Sequence, residues 1–235
     1  NIHLTKVDSE YPDNKLTGAT FEVYKDSNAN GKLDDGDELL GTLTEKEIGE
    51  YGMNDLFYGR YFVKETKAPE GFILDTGVYE VMIDTNGKTY EVENKAGVGF
   101  INDAMRGNLK IVKTSSDGKV KGFAFRITGA NGYDIILETN DKGEIFIDGL
   151  RIGDYTISEV NNSASSMYVI PADKKATVKI GSTTIVEMHN LLRDTPKTGD
   201  TTNLPLLYAL AGLSAVGIAV CGVIGFKKKK KEDRN

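Results

Sequence analysis

Three short segments of residues 1–104 recur, in the same order, in residues 105–193. They are rich in Val, Ile, Tyr, Phe and Thr, and Gly, Asn and Asp turns separate them, which is typical of small all-β sandwiches. The corresponding segments are 2–8 and 109–115, 61–65 and 155–159, and 98–102 and 186–190. Each repeat is long enough to bury one core. The sequence therefore predicts two tandem β-sandwich domains, 1–104 and 105–193.

Strand parity places three polar residues of each repeat on apolar, inward-facing rows, because residues two apart on a strand share a face. The residues are Lys6, Glu65 and Asn102 in the first repeat and Lys113, Glu159 and Asn190 in the second. Lys and Glu are almost never fully buried without partners. A single inward Lys at a strand end usually extends its amine to water. The recurrence of all three residue types instead indicates a buried functional trio.

A lysine, a glutamate and an asparagine can together form a covalent cross-link. An unprotonated lysine amine attacks the asparagine amide, releases ammonia and leaves an isopeptide bond, and burial lowers the pKa of the amine. A carboxyl group that burial keeps protonated can donate to the amide carbonyl and pass a proton to the leaving ammonia. The fold supplies proximity. We predict one such bond in each domain.

Two runs of the first domain resemble a known family. Residues 15–24 contain the Leu-x-Gly-Ala-x-Phe run of Cna B-type domains, which also occur in SpaA-type pilins, and residues 61–72 resemble the pilin E-box. In that family the E-box glutamate, here Glu65, assists isopeptide formation. The resemblance covers residues 1–193 and is looser in the second domain, where residues 161–163 replace the Thr-x-Ala-Pro run. It implies two immunoglobulin-like, prealbumin-like sandwiches.

The acceptor of the first domain has a competitor. Asn94 also continues an apolar row, and it lies 29 residues after Glu65, close to the 31 residues between the corresponding pair of the second domain. Asn102 lies 37 residues after Glu65, so spacing alone favours Asn94. Choosing Asn94 would leave residues 98–101 as a strand with no role, and an extra hairpin strand, common in the family, would explain the longer spacing. We favour Asn102 and keep Asn94 open.

The C-terminal segment 194–235 predicts where the chain is located. An apolar run over 204–226 spans roughly 34 Å as a helix, enough for a bilayer core. Five lysines follow it at 227–231. Basic residues on this flank place the C-terminus in the cytoplasm and the rest of the chain outside the cell.

A short motif precedes this run: Thr195, Pro196, Lys197, Thr198 and Gly199. The order of motif, apolar helix and basic tail resembles the cell-wall sorting signal of Gram-positive surface proteins, in which a sortase cuts Leu-Pro-x-Thr-Gly between Thr and Gly. The resemblance implies a sortase as partner, a covalent link from Thr198 to peptidoglycan, and a helix that is in the membrane only before sorting. Thr195 stands where Leu is usual, which leaves the sortase class open. The alternative is a permanent single-pass anchor.

Composition fits a secreted chain. Residues 1–199 carry 23 Lys and Arg against 32 Asp and Glu, a net charge of −9, which argues against nucleic-acid binding. The one cysteine, Cys221, lies in the apolar run, so no disulfide can form within the chain. Residue 1 is Asn with no signal peptide before it. We therefore expect the C-terminal part, or the mature form, of a longer protein.

The first domain also contains an acidic loop with the spacing of an EF-hand calcium site, although no cofactor is required for the predicted reaction. Oxygen-bearing side chains occupy loop positions 1, 3, 5, 9 and 12, with Gly at position 6. These residues are Asp26, Asn28, Asn30, Asp34 and Asp37. The sequence predicts a calcium site here, and the alternative is a solvated acidic loop between strands.

Three classes of function fit these observations, and none is an enzyme that turns over a substrate. We favour a structural stalk of a peptidoglycan-anchored adhesin or pilin-like protein. The first alternative is a pilin subunit polymerised by a sortase, although Tyr11-Pro12-Asp13 lacks the acceptor lysine of a Tyr-Pro-Lys run and Lys15 is a weak substitute. The second is a module that binds a host surface or matrix ligand.

Overall fold

The computed structural model describes residues 1–194, in which β-strands joined by turns and loops form all of the regular secondary structure apart from a short 3-10 turn at Ala130–Gly132. They divide into two compact units, formed mainly by Asn1–Gly107 and by the residues from Asn108 onward. The all-β prediction is confirmed. Within these residues, no helix is long and apolar enough to cross a membrane. The motif 195–199, the run 204–226 and the basic tail lie outside the described part of the chain.

Two sheets form the first unit. Its strands are β1 (Ile2–Asp8), β2 (Thr20–Lys25), β3 (Glu38–Thr42), β4 (Thr44–Glu47), β5 (Glu50–Met53), β6 (Gly59–Lys67), β7 (Val78–Ile83), β8 (Tyr90–Glu91) and β9 (Phe100–Asn102). One sheet has the order β4-β5-β1-β8, with β9 also paired to β1, and the other has the order β3-β2-β6-β7. Phe21 of β2 packs edge-on against Phe100 of β9, with ring centroids 4.9 Å apart. The core therefore lies between the two sheets.

The second unit repeats this plan. Its strands are β10 (Arg106–Ser115), β11 (Ala124–Thr128), β12 (Asp134–Glu138), β13 (Glu144–Arg151), β14 (Gly153–Val160), β15 (Tyr168–Val169), β16 (Lys174–Val178) and β17 (Thr183–Leu192). The two sheets have the orders β13-β10-β17-β15 and β12-β11-β14-β16. In each unit the first strand pairs in parallel with the last strand. The two ends of each unit therefore lie on neighbouring strands.

The last strand is continuous in the second unit and interrupted in the first. β17 pairs with β10 without a break from Thr183 to Asn190. In the first unit β8 and β9 pair with the same strand, β1, at separate places, and residues 92–99 loop out between them. This interruption, rather than an extra hairpin strand, accounts for the longer spacing from Glu65 to Asn102.

Candidate functional site

The first trio lies between the two sheets, where the side chains of Lys6, Glu65 and Asn102 are at most 3 % exposed. Lys6 is on β1, Glu65 on β6, and Asn102 ends β9. The Asn102 amide donates to Glu65 Oε2 at 2.8 Å and to the carbonyl of Ile73 at 2.5 Å. The Lys6 amine donates to the carbonyl of Phe100, two residues before Asn102, at 3.0 Å. The three groups are therefore gathered at one place in the core.

Two oxygens of this trio have no hydrogen-bond partner in the described structure. They are Glu65 Oε1 and Asn102 Oδ1, and both are buried. An ionised carboxylate and an amide carbonyl can only accept, so neither can satisfy the other. Leaving a buried acceptor unsatisfied costs about 1–3 kcal/mol. Because Glu65 Oε1 is buried without a donor, its surroundings favour the protonated form of the carboxyl group.

Burial moves the pKa values of the amine and the acid toward their neutral forms. It lowers the pKa of Lys6 to about 8, although the negative charges of Glu65, Asp75 and Asp8 act in the opposite direction. Burial raises the pKa of Glu65, against hydrogen bonds from Asn102 and the Asp75 amide and the charge of Lys6. At pH 7 a lysine with a pKa of about 8 is uncharged roughly a tenth of the time. A nucleophilic amine and a proton-donating acid are therefore both accessible.

The second trio repeats the burial and the contact between the amide and the carboxyl group. Lys113, Glu159 and Asn190 are at most 7 % exposed, and the Asn190 amide donates to Glu159 Oε1 at 2.6 Å. The remaining oxygens, Glu159 Oε2 and Asn190 Oδ1, again have no partner. The Lys113 amine donates to the Thr114 carbonyl and lies 4.2 Å from the Phe123 ring centroid. Burial lowers the pKa of Lys113 and raises that of Glu159.

The structure places the competitor Asn94 beside a different carboxylate. Its amide donates to Asp75 Oδ2 at 2.6 Å and to the carbonyl of Ile101 at 2.8 Å, and its carbonyl accepts from the Ile101 amide at 2.6 Å. These contacts join Asn94 to the loop between β6 and β7 and to β9. Asn102, and not Asn94, is hydrogen-bonded to Glu65.

Two glycines that the sequence reasoning missed hold the backbone of the reactive lysines. The amides of Lys6 and Lys113 donate to the carbonyls of Gly49 and Gly143, both at 2.7 Å. Both glycines have positive φ, 72° and 76°. A Cβ at either would lie within 2.9 Å of the carbonyl oxygen of the lysine, so a side chain is excluded. The Gly-Glu pair that both repeats contain, 49–50 and 143–144, was the available signal.

Hydrogen bonds within the acidic loop, together with Arg60 on β6, satisfy the carboxylates of Asp26, Asp34 and Asp37. Asp26 accepts from the backbone amides of Asn30 and Gly31 and pairs with Arg60 at 3.3 Å. Asp34 accepts from the side-chain amide of Asn28 at 3.0 Å, and Asp37 accepts from the Asp34 amide at 3.0 Å. Across residues 1–194 no three His, Cys, Asp or Glu side chains are grouped as metal ligands. The calcium site stays a prediction.

The sequence profile of the family described as SpaA, prealbumin-like fold domain, matches residues 1–96 and 107–191. The chain belongs to this family. Its two matches coincide with the two sandwich units, so each unit is a SpaA prealbumin-like domain.

One relative of this SpaA-family chain is named a surface protein. The Trypsin-resistant surface T6 protein of Streptococcus pyogenes serotype M6 is 26 % identical over an alignment of 194 residues, which covers 69 % of this chain and 34 % of that protein. This chain therefore spans about a third of the length of that relative.

Two solved structures share the fold. The TIE protein of Bacillus anthracis superposes with a TM-score of 0.60 at 24 % identity, over 80 % of this chain and 33 % of that one. A C-terminal fragment of the pilus adhesin SpaC from Lactobacillus rhamnosus GG superposes with a TM-score of 0.50 at 13 % identity, over 84 % of this chain and 98 % of the fragment. At these identities the likeness establishes the fold alone.

Proposed function

We propose that this chain is a stalk segment of a wall-anchored surface protein, in which a lysine–asparagine isopeptide bond closes each SpaA-family domain. One observation carries the proposal. In both units a buried asparagine amide donates to a buried carboxyl group, and one oxygen of each of the two groups has no partner. A buried lysine with a lowered pKa completes each trio.

The reaction balances without a cofactor. The uncharged amine of Lys6 attacks Cγ of Asn102, and the protonated carboxyl of Glu65 donates to Oδ1, where negative charge develops. The carboxyl group then passes a proton from the attacking amine to Nδ2, the Cγ–Nδ2 bond breaks, and the proton on Oδ1 returns to Glu65 as the carbonyl group forms again. The products are one secondary amide and one molecule of ammonia. Lys113, Glu159 and Asn190 perform the same steps in the second unit.

The intact mass of the purified protein tests this proposal. We expect the wild-type chain to weigh less than its sequence by two molecules of ammonia. Glu65→Ala and Glu159→Ala should each retain one of these molecules, because each removes the proton carrier of one unit only. Mass spectrometry of tryptic fragments should then find Lys6 joined to Asn102 and Lys113 joined to Asn190.

The matched control is Glu80→Ala, which changes a solvent-exposed glutamate on β7, the strand beside Glu65's. It should lose both molecules of ammonia, as the wild type does. A wild-type mass equal to that of the sequence would contradict the proposal, and so would a cross-link that survives in Glu65→Ala.

The anchoring part of the proposal rests on residues 195–235 and on the family. The T6 relative is named a surface protein. In this chain a motif, an apolar run and a basic tail follow one another as they do in a sorting signal. We propose that a sortase joins Thr198 to peptidoglycan.

Cell fractionation of a Gram-positive host tests the anchoring. We expect the wild-type protein in the wall fraction, released by digestion of peptidoglycan. Thr198→Ala should remain in the membrane fraction, because it removes the side chain that the motif requires beside the bond to be cut, although the carbonyl of residue 198 is kept. Lys197→Ala changes the variable position of the motif and serves as the control, since it should still reach the wall. Wall linkage of Thr198→Ala would contradict the assignment.

A further inference from the structure

A second polar cluster lies beside the first trio, and the proposed reaction does not use it. Its members are Asp75 in the loop between β6 and β7, Tyr79 on β7, and Asn94 between β8 and β9. Asp75 Oδ2 accepts from the Tyr79 hydroxyl at 2.8 Å and from the Asn94 amide at 2.6 Å. Its other oxygen accepts from the Gly77 amide at 2.6 Å. These contacts hold the Asp75 carboxylate in one orientation.

One side of this cluster contacts the acid. The backbone amide of Asp75 donates to Glu65 Oε2 at 2.8 Å. The same oxygen accepts from the Asn102 amide at 2.8 Å. With two donors on Oε2, the acid proton is left on Oε1, the oxygen with no other partner. Asp75 thereby helps to hold the carboxyl group with Oε1 free to carry the acid proton.

The other side contacts the acceptor strand. Asn94 both donates to the Ile101 carbonyl and accepts from its amide, as a neighbouring strand would. Ile101 lies between Phe100, whose carbonyl accepts from the Lys6 amine, and Asn102. The Asn94 side chain therefore fixes the segment that presents the amide to the amine.

We infer that Asp75 and Asn94 are positioning residues for cross-linking in the first unit. The inference rests on the proposed function and concerns how that reaction is set up. Asp75 holds Glu65, Asn94 holds the strand of Asn102, and the hydrogen bond between them links the two.

The interrupted last strand explains why the first unit needs this device. In the second unit β17 pairs with β10 through consecutive residues up to Asn190, so the backbone ladder itself positions the acceptor. In the first unit residues 92–99 separate β8 from β9, and β9 has only three residues. Asn94, within the interruption, adds two side-chain hydrogen bonds to the short strand that ends at Asn102.

The charge of Asp75 should affect the pH dependence of the cross-linking reaction, which a purely structural role would not change. Burial acts to raise the pKa of Asp75, but hydrogen bonds from Asn94, Tyr79 and Gly77 outweigh it and lower the pKa. The ionised Asp75 raises the pKa of both Lys6 and Glu65, and Asp8 acts on Lys6 in the same direction. The rate of cross-linking rises as the Lys6 amine loses its proton and falls as the Glu65 carboxyl group loses its proton. Removing the Asp75 charge therefore moves the pH dependence to lower pH.

Refolding kinetics test the inference. The full 235-residue chain is collected in urea as inclusion bodies, checked by mass to be unreacted, and diluted into buffers from acidic to alkaline pH. Quenched samples are digested, and each cross-linked fragment is quantified by mass spectrometry. The second unit serves as an internal reference in every sample.

Three variants separate the roles. Asn94→Ala should slow the first cross-link roughly tenfold, because the acceptor strand loses its register. Asp75→Asn keeps the backbone amide that contacts Glu65, and should shift the pH profile of the first cross-link down by about one unit. Tyr79→Phe removes one hydrogen bond to Asp75 and should slow the first cross-link less than Asn94→Ala does. The second cross-link should keep its rate in all three.

Asp84→Asn is the control, because Asp84 also accepts a tyrosine hydroxyl, from Tyr90 at 2.5 Å, and is not among the residues that contact the trio. It should leave both rates unchanged. The inference is overturned if the first cross-link of Asn94→Ala forms at the wild-type rate, or if both cross-links slow equally. A wild-type chain that loses no ammonia would overturn the proposed function itself, whereas unaffected variants of a reactive wild type would overturn only the positioning roles.

Discussion

Pulled from its two ends, the wild-type chain is expected to resist extension, whereas the double variant Lys6→Met/Lys113→Met is expected to lengthen in two steps. In each cross-linked unit the force enters the first strand, crosses the isopeptide bond and leaves through the last strand. The chain between the two bonded residues carries no load. Without the bonds, residues 7–101 and 114–189 can extend by up to roughly 330 Å and 270 Å.

Single-molecule force spectroscopy measures these steps directly. Methionine is the appropriate replacement, because it has a similar length and leaves no buried charge in the core. The control is Lys64→Met/Lys110→Met. Lys64 precedes Glu65 on β6, Lys110 lies on the same strand as Lys113, and both are outside the core. The control should stay inextensible. Two extension steps in the wild-type chain would contradict a load-bearing cross-link in either unit.

Thermal unfolding of each single lysine variant is expected to show a loss of stability in one unit only. Cross-links that close loops of this length contribute about 4–5 kcal/mol in the chain-entropy model. For a domain of about 100 residues, a loss of this size lowers the Tm by roughly 20 °C or more. Lys6→Met should destabilise the first unit and Lys113→Met the second, so each variant should move one calorimetric transition and leave the other.

Calorimetry of Lys64→Met and Lys110→Met provides the reference for replacing a lysine without breaking a bond. Lys110 pairs with Glu144 at 2.6 Å near the surface, a type of ion pair that contributes at most about 1 kcal/mol. Shifts in Lys6→Met or Lys113→Met as small as those of the controls would argue that the bonds do not form or do not stabilise the folded units.

Much of the fold could be predicted because the strand repeat is local information. The alternation that places Lys6 after Ile2 and Leu4 on one face of β1 also predicts its burial, and the side chain is fully buried. The same parity holds for Lys113, Glu159 and Asn190. The second copy of each segment was the main support, since a chance pattern would not recur in order.

Other features depended on contacts between distant segments. Spacing from Glu65 favoured Asn94 over Asn102, because spacing assumes that both repeats have a continuous last strand. The structure has a break between β8 and β9, and it is this loop that carries Asn94 to Asp75 instead of Glu65. The roles of Gly49 and Gly143 were equally hidden, since they depend on the close approach of two strands.

The sequence by itself determined the class of fold, the tandem repeat, and the three residue types that point inward in each unit, because alternation along a strand depends only on neighbouring residues. Only the tertiary structure decided which asparagine lies beside which carboxyl group, which oxygens are left without partners, and how Asp75 and Asn94 lie beside the first trio. These contacts join strands far apart in the chain, and a loop insertion changes them without altering the parity of any strand.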